Sequence, residues 1–151
     1  MIERALQAAY DDRMEQQLQI AVVQGNPATA DPAGNIDAIL GQRAATATAG
    51  LLVTSVDAVA GSPLGDLAAS AALQQAADAA LSVLAAATAG GGPALLVGTV
   101  RKGENALVLA EGGNIREIWP GPGLFECGGV RLSVVPGSHC LERATAGLLR
   151  A

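Results

Sequence analysis

The sequence predicts an α/β fold in which a mixed sheet carries helices on one face. Short aliphatic runs end at Gly or Pro, helical segments separate the first of these runs, and hairpin turns join the later ones. This order, β-α-β-α followed by hairpins, is typical of helices packed on a sheet. Half of the 151 residues are hydrophobic but only 2% are aromatic, so Ala, Leu, Val and Ile have to build the core.

The N-terminal segment predicts an amphipathic helix over residues 2–16. Its apolar stripe is formed by Ile2, Leu6, Tyr10 and Met14, and most of its charged residues lie elsewhere on the helix. We therefore divide the chain into this helix (1–16) and a domain (17–151), and treat the stripe as a candidate interaction surface.

The first half of the domain predicts two strands and two helices. Residues 18–24 (LQIAVVQ) predict a buried strand, and residues 51–56 (LLVTSV) predict a second strand. Between them, residues 31–50 predict a helix whose N-cap is Asp31 and whose first residue is proline. Residues 63–89 predict one long helix rich in Ala and Leu.

The second half predicts hairpins. After the helix-breaking GGGP (90–93), strands are predicted at 94–100, 105–111 and 114–120. The RKGE and GGN segments between them are typical hairpin turns. Residues 124–135 predict a further hairpin around Gly128 and Gly129, and a short helix is predicted over 141–149.

Charge and hydropathy exclude several classes of function. The net charge is -5 with a pI near 4.7, and Lys and Arg are not clustered, so binding to nucleic acid or an anionic membrane is not expected. No apolar stretch reaches the roughly 20 residues that span a bilayer, and the acidic N-terminus is unlike a signal peptide. Two cysteines without a secretory signal predict free thiols in the cytoplasm.

The sequence predicts neither a metal site nor a cofactor. His139 is the single histidine, and its spacing from Cys127 and Cys140 does not match a zinc motif. The glycines at 90–92 precede a strand, whereas the glycines of a nucleotide-binding loop follow one.

Four segments, taken in order, resemble the nitrilase (carbon–nitrogen hydrolase) superfamily. They are LQIAVVQGNPATADPAGNIDAILGQRAATATAG, LLVTSVDAVAGSPLGDL, GGGPALLVGTVRKGENALVLAEGGNIREIWP and LFECGGVRLSVV. The nearest match is to the glutamine-hydrolysing domain of bacterial NAD synthetases. The resemblance implies the N-terminal portion of a longer α-β-β-α sandwich, with the helix at 1–16 as an addition.

The resemblance also locates three catalytic roles, and this sequence leaves all three empty. The family uses a Glu base, a Lys that stabilises the oxyanion and a Cys nucleophile. By position these fall on Val56, Gly121 (or the adjacent Pro120) and Gly137. A thiol nucleophile needs a base and a positive or N–H-lined pocket, so no catalytic residue is expected.

Three neighbouring residues are weak substitutes for the missing groups. Asp57 follows the Glu position by one residue, and Lys102 lies in a predicted hairpin turn. Cys140 lies three residues beyond the nucleophile position, beside His139. Adjacent side chains on a helix point about 100° apart, which makes these two a poor Cys–His dyad.

Three hypotheses follow. The favoured one is a catalytically inactive, truncated nitrilase-like protein that acts through association, as a homo-oligomer or an accessory subunit. The alternatives are a divergent amidohydrolase that uses Cys140 and Asp57, and a protein that binds a small amide without hydrolysing it. Truncation would expose one apolar face of the sheet, so we expect a second copy, another subunit or the helix at 1–16 to cover it.

Overall fold

The computed structural model describes residues 17–121 and 123–134. This part of the chain forms a mixed α/β fold with two α-helices and a mixed five-stranded sheet. The helices are α1 (Pro32–Ala45) and α2 (Ala71–Thr88). The strands of the sheet are β1 (Ile20–Val22), β2 (Leu51–Val53), β3 (Ala94–Arg101), β4 (Glu104–Glu111) and β5 (Asn114–Trp119). A separate hairpin consists of β6 (Leu124–Cys127) and β7 (Val130–Ser133).

The sheet combines a parallel half with an antiparallel half. Its strands lie in chain order, with β1, β2 and β3 parallel and β3, β4 and β5 antiparallel. The parallel strands need long crossover connections, which α1 and α2 provide, whereas tight turns join the antiparallel strands. The predicted mixed sheet is therefore confirmed.

Both helices pack on the same face of the sheet. Their shared core contains these buried aliphatic residues: Ile36, Ile39, Leu52, Leu73, Ala77, Leu81, Leu84, Leu95, Val97 and Val108. Small alanines on α2 allow the helix to approach the sheet closely. The prediction of helices on one face is confirmed.

The predicted start of α1 is correct and its predicted end is not. Asp31 caps the helix, because its Oδ1 accepts a hydrogen bond from the Gly34 backbone N–H at 3.0 Å. The helix ends at Ala45 rather than at residue 50. Thr46 leaves the helical conformation, with φ −113° and ψ 34°, and its hydroxyl donates to the Gln42 carbonyl at 2.8 Å.

The prediction of one helix over residues 63–89 was wrong. A 3₁₀ turn occupies Gly65–Ala69, and α2 begins only at Ala71. Ser70 between them has an extended backbone, with ψ 128°, which separates the two segments. Gly65 has a positive φ of 51°, a conformation that glycine adopts without the steric cost of a side chain.

The hairpin predictions were correct, but the prediction of a buried first strand was wrong. Gly103, Gly112 and Gly128 all lie in two-residue turns with positive φ, as tight hairpins require. In contrast, β1 lies at the edge of the sheet, and Ile20 and Val22 are 45% and 70% exposed. On the face of the sheet opposite the helices, no described residue covers Ile20 and Val22.

Some predictions concern residues outside the described ranges. These are the amphipathic helix at 1–16 with Ile2, Leu6, Tyr10 and Met14, the helix at 141–149, and the positions Gly137, His139 and Cys140. In the described part of the chain, no helix is both long and apolar enough to cross a membrane.

Candidate functional site

The β6–β7 hairpin covers part of the second face of the sheet. Phe125 and Cys127 point inward, where they join a second cluster of buried residues contributed by the sheet: Leu51, Ala94, Leu96, Leu109 and Ile118. Among the described residues, the hairpin covers only this part of the face, and Ile20 and Val22 at its edge are exposed.

An apolar groove of ≈ 610 Å³ lies next to the open end of the hairpin, at the carboxyl ends of β2, β3 and β5. The residues that line it are Val53, Thr54, Val56, Leu96, Asn105, Ala106, Leu107, Trp119, Ser133 and Val134. The carboxyl ends of parallel strands are where α/β proteins usually bind their ligands. This groove is the candidate functional site.

Three segments that the family resemblance associates with catalysis meet at this groove. Val56 itself lines it, Trp119 lies two residues before Gly121, and Val134 lies three residues before Gly137. Val56 is 49% exposed, so its isopropyl group contacts solvent at the position where the resemblance would place a general base. Gly121, in the turn after β5, has no side chain.

The described residues of the groove lack the groups that acid–base chemistry needs. None of the ten described residues that line it has an ionisable side chain. The Thr54 hydroxyl is already hydrogen-bonded to the backbone. It accepts from the Gly98 N–H at 3.3 Å and donates to the Ser55 carbonyl at 3.2 Å. The described lining can therefore supply neither a general base nor a cation for an oxyanion.

The structure does not bring Asp57 and Lys102 into the groove. The Asp57 carboxylate accepts a hydrogen bond from the Ser55 hydroxyl at 2.6 Å. Lys102 lies in the exposed turn between β3 and β4, beside a different surface cleft that Asp78 and Glu117 also line. Its backbone N–H donates to the Gln74 side chain at 3.1 Å. Cys140, the third candidate, lies outside the described residues.

The wall of the groove depends on Gly98, a residue that sequence reasoning missed. A Cβ added at this position would lie 2.2 Å from the Ser55 carbonyl oxygen and 2.3 Å from the Val56 Cα. The loop after β2 therefore crosses β3 in direct backbone contact, and the Val59 N–H donates to the Gly98 carbonyl at 3.0 Å. A glycine inside an aliphatic strand is a sequence signal for such a close approach.

Asn35 was also missed as a structural residue. It is 6% exposed, and its side chain accepts from the Ala28 N–H at 2.7 Å and donates to the Ala28 carbonyl at 2.8 Å. It also donates to the Val59 carbonyl at 3.0 Å. One buried carboxamide on α1 thus joins the loops that follow β1 and β2, and positions the second of them beside the groove.

A second, smaller cleft of ≈ 140 Å³ lies between α1 and the carboxyl ends of β1 and β2. The polar side chains that line it belong to Gln24, Asn26, Asn35, Gln42, Thr54 and Ser55. It has no ionisable side chain among its described lining residues either. In the two described ranges, no three His, Cys, Asp or Glu side chains lie close enough together to hold a metal ion.

Cys127, the last residue of β6, has a buried thiol on the inner side of the hairpin. Its Sγ lies 3.7 Å from the Gly50 carbonyl oxygen, to which it donates a weak hydrogen bond. Burial raises the pKa of the Cys127 thiol above its ordinary value, and the negative charge of Glu111 raises it further. The thiolate is therefore disfavoured, which is the opposite of what a nucleophile requires.

We predict that ionisation of Cys127 destabilises the protein at alkaline pH. In the unfolded chain the thiol ionises near pH ~8.5, whereas the folded protein keeps it neutral to a higher pH. The stability linked to this group is complete below the unfolded pKa and decreases as pH rises toward the folded pKa. Urea unfolding between pH 7 and pH 10 should show a steeper alkaline loss for the wild-type protein than for Cys127→Ala. Parallel curves for the two proteins would contradict this prediction.

No protein-family model matches this sequence, and a search of curated proteins found no match.

Proposed function

We propose that this chain is a catalytically inactive nitrilase-like protein that acts through association, as a homo-oligomer or as an accessory subunit of a larger complex. On this proposal residues 17–151 are the N-terminal portion of an α-β-β-α sandwich, and residues 1–16 add a helix. An acidic chain with two cysteines suits the reducing cytoplasm, which is where we expect it to act.

The chemistry of the groove carries the proposal. Carbon–nitrogen hydrolysis of the nitrilase type needs a base, a cation and a thiolate at one place. The segments that resemble the carriers of these groups meet at the groove, yet Val56 and Gly121 stand where a Glu and a Lys would act. At the third position the sequence has Gly137. Three separate losses at the positions that the resemblance assigns to catalysis support a loss of catalysis rather than a change of substrate.

The open sheet face supports the second part of the proposal. Monomeric proteins rarely expose contiguous apolar patches larger than a few hundred Å². Here Ile20 and Val22 are exposed at the edge of the sheet, and the neighbouring groove is lined mostly by aliphatic side chains. A protein surface that covers this face would remove this exposed area from water.

Ammonia release tests the catalytic part of the proposal. We expect the purified full chain, incubated at neutral pH with millimolar glutamine, acetamide or propionamide, to release no ammonia above the buffer blank. The divergent-hydrolase alternative predicts release that Cys140→Ala abolishes. Cys127→Ala is the matched control, because it also removes one thiol, but one that is buried between the hairpin and the sheet. Release that persists in Cys127→Ala and disappears in Cys140→Ala would contradict the proposal.

A further inference from the structure

Exposed apolar side chains concentrate on the hairpin side of the sheet. Among residues 17–121 and 123–134, six large hydrophobic side chains are exposed, and four of them lie on this side: Ile20, Val22, Val56 and Leu124. Ile20 and Val22 pair in register with Leu51 and Val53, which face the hairpin. The other two, Leu67 and Val83, lie in the helix layer. We call the four residues on the hairpin side the open face.

The open face combines a protrusion with a recess. Leu124 lies on the outer side of the hairpin, since it alternates along β6 with the buried Phe125, and it is 55% exposed. Ile20 and Val22 lie one layer deeper, on the uncovered edge strand. Packed sheet layers are about 10 Å apart, so the strip beside the hairpin is deep enough to receive another hairpin.

We propose that a second copy of this chain covers the open face, so that Leu124 of each copy packs on Ile20 and Val22 of the partner subunit. This inference rests on the proposed function, in which the chain acts by association, and it identifies the partner. In a two-fold contact of this kind the same patch is used by both copies. One hairpin then fills each recess, and the exposed side chains of Ile20, Val22 and Leu124 are removed from water in both copies.

The distribution of charge favours a second copy over a different partner. Two chains of net charge -5 repel each other, so a self-contact needs a patch without an excess of acidic residues. The described lining of the groove has no ionisable side chain. On the outer side of the hairpin, Glu126 lies opposite Arg131 in register, and both are exposed.

These two charges make the hairpin self-complementary. In the described part of the chain the ion pairs involve Arg101, and none joins Glu126 to Arg131. Each copy therefore presents one charge of each sign on the outer side of the hairpin, the side on which Leu124 lies. A strongly acidic or basic partner would match only one of the two, whereas a second copy matches both.

Sedimentation of the full chain tests the proposal. We expect the wild-type protein at micromolar concentration to sediment at twice the chain mass of 15.0 kDa. Val22→Lys and Leu124→Lys should each raise the dimer dissociation constant by about 30-fold or more, since each places a charge in an apolar contact. Val83→Lys is the matched control, because Val83 is 49% exposed on the helix side, and it should sediment like the wild-type protein. Melting curves confirm that each variant is folded.

A mixing experiment tests the reciprocal contact itself. Val22→Glu and Leu124→Lys should each be monomeric alone. Mixed in equal amounts they should form a heterodimer, in which the two introduced side chains, of opposite charge, replace one apolar contact and the other contact stays native. In the control mixture of Val22→Glu with Val83→Lys, Val83→Lys should dimerise with itself, as it does alone, and Val22→Glu should stay monomeric. Failure of the first mixture to associate, with both variants folded, would overturn the proposed contact.

The remaining outcomes separate this inference from the proposed function. A wild-type monomer would overturn the second copy as the partner. A carbodiimide joins a lysine amine to a nearby carboxylate, and residues 1–16 and 135–151 contain carboxylates but no lysine. Such cross-links from a lysine introduced by Val22→Lys or Leu124→Lys to either segment would then assign the cover to the chain itself, and their absence would assign it to a different protein. Neither result tests catalysis, which is measured by ammonia release. A dimer that hydrolyses glutamine would overturn the proposal that the protein is inactive, but not the proposed contact.

Discussion

Gly98→Ala should lower the free energy of unfolding by about 3 kcal/mol or more, at the upper end of the usual cost of overpacking. The added Cβ would lie 2.2 Å from both the Ser55 carbonyl oxygen and the Val56 carbonyl carbon. Both are backbone atoms, so no rotamer change relieves the contact, and the loop after β2 has to move away from β3. Urea unfolding monitored by circular dichroism measures the loss.

Gly41→Ala is the matched control for this prediction. Gly41 lies inside α1, and a Cβ added there would meet no atom within 4 Å. The same substitution should therefore stabilise the protein by about 0.5–1 kcal/mol, because alanine loses less backbone entropy than glycine on entering a helix. Similar effects at the two glycines, of either sign, would show that the contact between β3 and the loop is not tight.

The effect of Gly98→Ala should extend to the groove. Thr54 accepts a hydrogen bond from the Gly98 N–H, and the Val59 N–H donates to the Gly98 carbonyl. Displacing the loop strains both bonds and shifts Val56, which lines the groove. The association proposed for the open face should then weaken together with stability, whereas Gly41→Ala should leave the dimer unchanged.

The elements of the fold that depend on local sequence could be predicted from it. Alternating aliphatic runs and paired turn residues specify the β3–β4–β5 hairpins, and Asp31 with Pro32 specifies the start of α1. The apolar pattern over residues 63–89 did not reveal the break at Ser70, because leucine and alanine fit both a 3₁₀ turn and an α-helix. Boundaries of this kind depend on tertiary packing rather than on propensity.

The candidate site could be predicted only in part, because it is built from contacts between distant segments. Sequence resemblance identified Val56, Gly121 and Gly137 as positions without catalytic groups. It did not show that the segments around the first two meet at an apolar groove. The exposure of β1 also escaped prediction, since a β-branched run has the same pattern in a central strand and in a short edge strand.

Asn35→Leu should lower the free energy of unfolding by about 3–5 kcal/mol, because each buried polar group that loses its partner costs about 1–3 kcal/mol. The substitution leaves the Ala28 N–H, the Ala28 carbonyl and the Val59 carbonyl without the side chain that bonds them. It also releases the loops after β1 and β2 from α1. A domain of this size loses roughly 2–4 °C in melting temperature for each kcal/mol, so thermal unfolding should occur about 10 °C lower.

Asn26→Leu is the matched control, since Asn26 is exposed and its side chain makes no hydrogen bond in the described structure. Its effect should stay within about 0.5 kcal/mol. If Asn35→Leu fails to fold, Asn35→Asp provides a milder test. It keeps the oxygen that accepts from the Ala28 N–H. It replaces the NH2 group, which donates to the Ala28 and Val59 carbonyls, with a second carboxylate oxygen that cannot donate to them. Equal melting temperatures for the wild-type protein and Asn35→Asp would mean that the two donated hydrogen bonds do not hold the loops, and that the apolar core alone positions the wall of the groove.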